Sequence, residues 1–329
     1  MKAALFSVTD KTGIGLFAKR LKELFPEMQL IASGGTAKEL EKFGLMPTPL
    51  ETITGFPECF GGRVKTINPK IAGGLLYRRG QDDADAKRLG VPAIDLVVCN
   101  LYRFDEGTDF IESMDIGGPT LIRCGIKNYQ AVAVVTDPTD YASLLKQLET
   151  AGCLSLETRA ELAVKAINLT ANYEAKLAEE LTNRLQKRQT FRPFLDRGEK
   201  LRYGENPDQE AWIYRFPEGK GIAHAEVLAG KELSYNNYED ATAAYNAASH
   251  LLSVTEAPGV AIVKHGGLCG MATAKDPKLA FRRAWQCDSL SAFGGIIACN
   301  APLDFSFTEE LKGKFFEVLI APDFSCELV

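Results

Sequence analysis

Ser33-Gly34-Gly35-Thr36 joins a continuous apolar run, Met28–Ala32, to a stretch of helical spacing that continues to Phe43. A helix N-terminus presents unpaired amide N–H groups and the positive end of its dipole, so such a turn is suited to an anion. Two glycines allow close backbone approach, and two hydroxyls add donors. Taken alone, the same four residues also describe an ordinary capped turn. A second turn, Ser7-Val8-Thr9-Asp10-Lys11-Thr12-Gly13, ends the apolar run Ala3–Val8 and contributes a lysine. Ligands of open α/β sheets bind outside the carboxyl ends of the strands. Two such turns at one edge point to a phosphate.

Three further segments carry groups that move protons or stabilise charge. Gly61-Gly62-Arg63-Val64-Lys65-Thr66 places a guanidinium and an ammonium two residues apart after a glycine pair. Asn100-Leu101-Tyr102 follows the apolar run Ile94–Leu101, and Asp115-Ile116-Gly117-Gly118 precedes a helical pattern that ends near Lys127. Singly, each is an exposed lysine or a capping aspartate; as a set with the phosphate turns they describe acid–base chemistry on a small phosphorylated molecule. Farther on, Lys264-His265 follows the apolar run Ala257–Val263, at a strand end where a site would lie.

The elements that must position these groups alternate between strand and helix. Ala3–Val8, Met28–Ala32, Ile94–Leu101 and Ala131–Thr136 read as buried strands, with helices through Leu24, through Phe43 and over Gly118–Lys127. That alternation predicts an α/β fold with a parallel sheet and helices on both faces. From Leu156 to about Leu185 a long helix is expected, with Leu162, Ala166, Leu169, Tyr173 and Leu177 along its apolar side. The polar, basic stretch Gln186–Arg197 with its proline marks a junction. The organisation is thus a first domain over 1–185 (core 1–150 plus a helical extension), a linker over 186–199, and a second α/β domain over 200–329. In the second part Tyr238–Leu252 and Leu279–Gln286 read as helices, and Gly294–Ala298 as a strand.

Composition narrows the function classes. Charged residues are 25% and hydrophobic ones 46% of the 329 residues, the balance of a soluble globular chain. No run approaches the roughly 20 apolar residues that span a bilayer, and the N-terminus is too short in apolar residues for a signal peptide, so a cytoplasmic protein off the membrane is expected. A net charge of −5 is wrong for non-specific nucleic-acid binding. Eight scattered cysteines without a C-x-x-C pair suit reduced thiols, and three histidines without ligand spacing argue against a metal.

The strings SVTDKTG, ASGGTAKEL, TGFPE, GGRVKT, NLY, DIGG and KN occur in that order from Ala3 to about Tyr141. They resemble the cyclohydrolase domain of the AICAR transformylase/IMP cyclohydrolase family of late purine biosynthesis, whose fold is similar to methylglyoxal synthase. LRYGENP, GKELSYNN, Lys264-His265 and SAFGGIIA resemble the start of the family's transformylase domain, which is similar to cytidine deaminase in fold. The C-x-x-C that zinc would need in a deaminase is absent from the sequence, so His224-Ala225-Glu226 has no cysteine pair to complete a zinc site. The resemblance implies ring closure of FAICAR to IMP with loss of water and without a cofactor. It also implies a formyl-transferring domain that takes AICAR and 10-formyltetrahydrofolate, and a homodimer.

Carried over by position, Lys65 and Tyr102 would stabilise and protonate the formyl oxygen, while Asp115 and Lys127 would act together on the attacking amide. Ser7, Lys11, Ser33, Gly34, Gly35, Thr36 and Thr66 would hold phosphate and ribose, with Arg63, Asn100, Gly117 and Gly118 around the nucleotide. Lys264 and His265 would act on the AICAR amine, and Arg202, Tyr203, Asn206, Asn236, Asn237, Phe293, Gly294 and Gly295 match nucleotide-binding or site-shaping segments. The sequence departs from the family's K-H-x-N-P-C-G at Gly267-Leu268, after ENP at Asp208, after R-V-K-T at Asn68 and after NLY at Arg103. The second deaminase-like half of the family's transformylase domain has no counterpart in these 329 residues, so a truncated or shortened transformylase domain with weak or absent formyl transfer is expected. Two other readings share the phosphate edge: a methylglyoxal-synthase-like lyase, and a regulatory module that senses a phosphorylated metabolite. A third reading makes the second domain a dimerising scaffold.

Overall fold

The N-terminal apolar run forms β1 (Ala3–Ser7), and its alternate residues serve two cores. Ala4 and Phe6 belong to one buried cluster, Ala3 and Leu5 to the other. A strand apolar on both faces must lie inside a sheet covered on both sides, and β1 is the central strand of five. With β2 (Gln29–Ala32), β3 (Thr48–Pro49), β4 (Ile94–Cys99) and β5 (Ala133–Val135) it makes a parallel sheet in the order β3-β2-β1-β4-β5. Leu5 pairs with Ile31 on one side and Val97 on the other.

This is a computed structural model; it describes residues 1–102, 109–193, 195, 198–216 and 219–327. Arg103 and, within the expected junction, Phe194, Asp196 and Arg197 lie outside the described residues. The chain divides into two units, Met1–Phe194 and Leu195–Val329.

In the first unit the helices are α1 (Ile14–Leu24), α2 (Gly34–Glu41), α3 (Leu50–Thr54), α4 (Pro69–Leu76), α5 (Asp83–Arg88), α6 (Gly117–Lys127), α7 (Tyr141–Ala151) and α8 (Leu156–Gln186). One face of the sheet is covered by α1, through Phe17 and Leu21, and by α7, through Leu144 and Leu148. Phe17 stacks on Tyr141 with ring centroids 4.3 Å apart. The other face takes Ile71 and Leu75 of α4, Leu121 and Ile122 of α6, and Ala166, Tyr173 and Leu177 of α8. The long helix begins where Ser155 Oγ accepts the Thr158 N–H at 3.0 Å, and it packs on α6 and β5.

The second unit opens with the hairpin β6 (Gly198–Lys200) and β7 (Trp212–Tyr214). Then follow α9 (Tyr235–Thr255), β8 (Gly259–Lys264), β9 (Gly267–Thr273), α10 (Pro277–Cys287), α11 (Ser289–Ala292), β10 (Gly295–Cys299), α12 (Thr308–Leu311) and β11 (Phe316–Ile320). Its main sheet is mixed, ordered β11-β10-β8-β9, with only β10 and β11 parallel. Val260 and Ile262 of β8 face Phe281 and Ala284 of α10; Ala261 and Val263 face Ala241, Ala244 and Ala248 of α9. Neither β9 nor β11 was evident in the apolar pattern, because β9 carries two glycines and β11 is only partly buried. Among the described residues no helix is long and apolar enough to cross a membrane.

Leu5→Ala and Phe6→Ala would each empty one face of the central strand, where both side chains are fully buried. Each should lower the unfolding free energy of the first unit by about 2–5 kcal/mol in chemical denaturation followed by circular dichroism. A loss below about 1 kcal/mol would mean that β1 is not the centre of the packing.

Candidate active site

Because the strands are parallel, the carboxyl ends of β1, β2 and β4 lie along one edge of the sheet, and the chain reverses its direction of travel across the sheet beside β1. The expected phosphate turns meet there. Ser33 Oγ donates to Ser7 Oγ at 3.3 Å and to Thr36 Oγ1 at 3.4 Å. Thr36 Oγ1 accepts the Val8 N–H at 3.1 Å, which binds the start of α2 to the turn after β1. The first helical bond of α2 runs from Ala37 N–H to Ser33 O at 2.7 Å, so the amides of Gly34, Gly35 and Thr36 point out of the helix end. A side chain on Gly34 would meet open space, and one on Gly35 would stand 3.9 Å from Lys11 Nζ. Hydroxyls, helix amides and an ammonium therefore converge on one opening.

Asn100, just after β4, is bonded to the turn after β1. Its Oδ1 accepts the N–H groups of Thr9 (2.7 Å) and Asp10 (3.0 Å), and its Nδ2 donates to Asp10 O at 3.0 Å. Three of its four hydrogen-bonding positions are thus spent on the turn that carries Ser7 and Lys11. The residue expected near the nucleotide also clasps that turn.

Next to the clasp lies a charged cluster around Asp115. The half-buried carboxylate turns back onto α6, where Asp115 Oδ1 accepts the Gly118 N–H at 2.7 Å. A β-carbon at Gly118 would stand 2.5 Å from Asp115 Oδ2, and one at Gly117 would stand 2.2 Å from Thr66 Oγ1. Both glycines are required by close approach. Burial pushes the Asp115 carboxyl above its ordinary value, opposed by the Gly118 N–H, the Lys65 ammonium, and the N–H groups of Tyr102 and Gly117. The Asp115 N–H donates to the buried Tyr173 hydroxyl of α8 at 2.7 Å. Lys65, Tyr102, Asp115 and Thr66 are brought together here, with the Tyr102 ring 43% exposed toward the opening.

Two expected members are placed differently. Lys127 is exposed at the far end of α6; ten residues at about 1.5 Å each put it roughly 15 Å along the axis from Gly117. Asp115 and Lys127 thus stand at opposite ends of α6. Arg63 forms a two-pronged ion pair with Glu112, with Nε to Oε2 at 3.1 Å. Asn68, where the family has histidine, caps α4 by accepting the Lys70 N–H at 2.9 Å.

In the second unit α9 organises the expected residues. Asn237 pairs reciprocally with Ser234 as a capping box, and its Nδ2 donates to Glu317 Oε2 at 2.6 Å. Arg202 Nη2 donates to Tyr203 Oη (3.3 Å) and Asn237 Oδ1 (3.4 Å). Asn236 Nδ2 donates to Glu205 O at 2.9 Å, and the Asn206 N–H donates to Gln209 Oε1 at 3.1 Å. One turn along α9, the buried Asp240 accepts the N–H groups of His265 (2.9 Å) and Gly266 (2.6 Å). These two residues form the turn between β8 and β9, with φ of +53° and +71°. Lys264 Nζ donates to Phe293 O at 2.7 Å, beside Gly294 at φ +76° and the buried Gly295.

Tyr173, Asp240, Glu112 and Glu317 were missed in the sequence. Tyr173 occupied an apolar slot of the long helix; a hydroxyl in an otherwise aliphatic row was the available signal.

A carboxyl whose folded pKa is raised contributes stability that is complete below its unfolded value and is lost as pH rises through the folded value. Ionised Asp115 is therefore a net cost to folding at neutral pH. Asp115→Asn keeps an acceptor for the Gly118 N–H. It should raise the melting temperature at neutral pH, by an amount that shrinks as pH falls toward the carboxylate range. A lower melting temperature at neutral pH would show that the donors outweigh burial.

Comparison with known proteins covers both units. Residues 13–120 match the MGS-like domain, and residues 125–329 match the AICARFT/IMPCHase bienzyme model. The bifunctional purine biosynthesis protein PurH of Persephonella marina is 42% identical over 340 residues, a match that covers 98% of this chain and 65% of that protein. PurH of Bacillus subtilis is 43% identical over 341 residues, covering 99% of this chain and 65% of the relative. The crystal structure of ForH superposes with a TM-score of 0.50 at 34% identity, covering 54% of this chain and 97% of that one. The chain thus spans a little under two thirds of the curated relatives' length, and it belongs to the AICARFT/IMPCHase bienzyme family.

Proposed function

We propose that the first unit is an IMP cyclohydrolase that closes FAICAR to IMP. The observation that carries the reading is the Lys65–Tyr102–Asp115 cluster beside an edge already furnished for phosphate. The hydroxyls of Ser7 and Ser33, the amides at the start of α2, and Lys11 hold the ribose phosphate. Binding energy from that end then keeps the carboxamide nitrogen near the formyl carbon. The amide is a poor nucleophile, and Asp115, whose burial raises its proton affinity, takes the proton as the C–N bond forms. Lys65 stabilises the negative charge that develops on the formyl oxygen. Tyr102 donates a proton to that oxygen, giving the hydroxyl of a tetrahedral adduct. The hydroxyl then takes the proton held by Asp115 and departs as water, while the former formamido nitrogen gives its proton back to Tyr102 and forms the ring C=N bond. Arg63 anchors the nucleotide by exchanging Glu112 for the substrate, at small cost because both partners are exposed.

In the second unit, Lys264 and His265 act on the AICAR amine in this reading, with 10-formyltetrahydrofolate as donor, and formyl transfer by the 329-residue chain is weak or absent. A homodimeric, cytoplasmic enzyme belongs to the same reading.

The test is the absorbance change on conversion of FAICAR to IMP by the purified chain. Lys65→Ala should lower kcat/KM by about 100-fold or more, the scale for removing one stabilising group from a developing oxyanion. A folded chain that binds IMP without turnover would make the first unit a sensor of phosphorylated nucleotides. Robust formyl transfer to AICAR under the same conditions would overturn the reading of the second unit.

A further inference from the structure

Asp115 and Tyr173 lie 58 residues apart and in segments matched by different models: Asp115 in the MGS-like match of residues 13–120, Tyr173 in the bienzyme match of residues 125–329. The long helix α8 brings the tyrosine back beneath the site. Its ring is buried in the core that α8 shares with α6 and β4, alongside Leu121, Ile122 and Val97. The hydroxyl is the one polar atom that the ring carries into that core, and it accepts the Asp115 N–H at 2.7 Å.

We propose that Tyr173 is a positioning residue for ring closure, its hydroxyl fixing the backbone at Asp115 and so the direction in which that carboxylate points. The inference rests on the cyclohydrolase reading. Asp115 stands just before α6, two residues ahead of Gly117, so its N–H has no helical acceptor and needs one from outside. The side chain is tied to α6 through the Gly118 N–H at Oδ1. A bond at the backbone amide fixes the residue at a second point, and so constrains the direction in which the carboxylate leaves the chain. The other oxygen, Oδ2, is the one that a β-carbon at Gly118 would crowd, so free play of the peptide at Asp115 would translate directly into misdirection of that atom. In this reading Tyr173 contributes to ring closure through Asp115.

Tyr173→Phe keeps the ring and removes the acceptor. In the FAICAR-to-IMP assay kcat should fall about 10- to 100-fold, the scale for a small misplacement of a reacting group, while KM and the affinity for IMP change by less than about twofold because the phosphate edge is untouched. An unchanged kcat would overturn the proposal, as would a loss confined to KM or to IMP binding, which a general loosening of the unit would produce. Amide exchange supplies a measurement that needs no variant. In the unaltered chain the Asp115 N–H should exchange more slowly than those of Ile111 and Glu112, which donate to the exposed Asp109 side chain. Equal or faster exchange would also overturn it. An inactive wild-type chain would fail the cyclohydrolase reading itself, and the catalytic role of Tyr173 with it; an active one with an indifferent Phe variant would fail only the inference.

Discussion

The register of β1 against β2 and β4 is the constraint on which the first site depends. Successive residues of β1 enter different cores, so a slip of one residue would exchange Leu5 and Phe6 between the two faces. Core side chains of this size are worth about 2–5 kcal/mol each, whereas a surface hydrogen bond at the strand ends nets about 1 kcal/mol. Packing therefore decides the register, and the edge residues inherit their positions. With Ser7 opposite Cys99, the turn after β1 faces Asn100, which can clasp it, and Tyr102 follows two residues later.

What is built on that edge is a compromise between burial and charge. Asp115 is buried enough for its proton affinity to rise, yet it is ringed by an ammonium and three amides that favour the ionised form. Burial favours the neutral acid, and the donors favour the carboxylate. Much of the local architecture serves this balance. Gly117 and Gly118 leave room for Thr66 and the carboxylate, and α8 supplies the hydroxyl that ties the backbone.

Four of the five strands of the first sheet and the turns after them were legible in the sequence because each is a local pattern, whereas the two-residue β3 was not. A continuous apolar run ended by Ser-Gly-Gly-Thr or Asn-Leu-Tyr carries its own meaning. The roles of single polar residues were less legible, since they depend on partners far away along the chain. Asn100 looks the same whether it binds a ligand or holds a turn 90 residues earlier, and only the sheet order distinguishes the two. Arg63 looks available until the Glu112 turn is folded beside it. Lys127, grouped with Asp115 by resemblance, stands at the other end of the 11-residue α6. In the second unit α9, α10 and two central strands were evident, while the short α11 and α12 and the mixed strand order were not, the last because it is set by pairing across the sheet.

The turn that carries His265 shows how a changed motif keeps a defined geometry. In the family pattern an asparagine and a proline follow this segment; here Gly267 and Leu268 enter β9 directly and pair with Lys264 and Val263. A left-handed conformation at a residue with a β-carbon costs about 1–2 kcal/mol, and His265 adopts one. Each hydrogen bond to a charged acceptor contributes about 1.5–3 kcal/mol, and Asp240 accepts two, from His265 and from Gly266. The clasp outweighs the strain. The two-residue turn is therefore held from below by α9, through the same helix turn whose Asn237 meets Arg202. With that support, rigidity that a proline would have supplied from within the loop comes instead from a buried carboxylate, and the direction of Lys264 and His265 is set by α9.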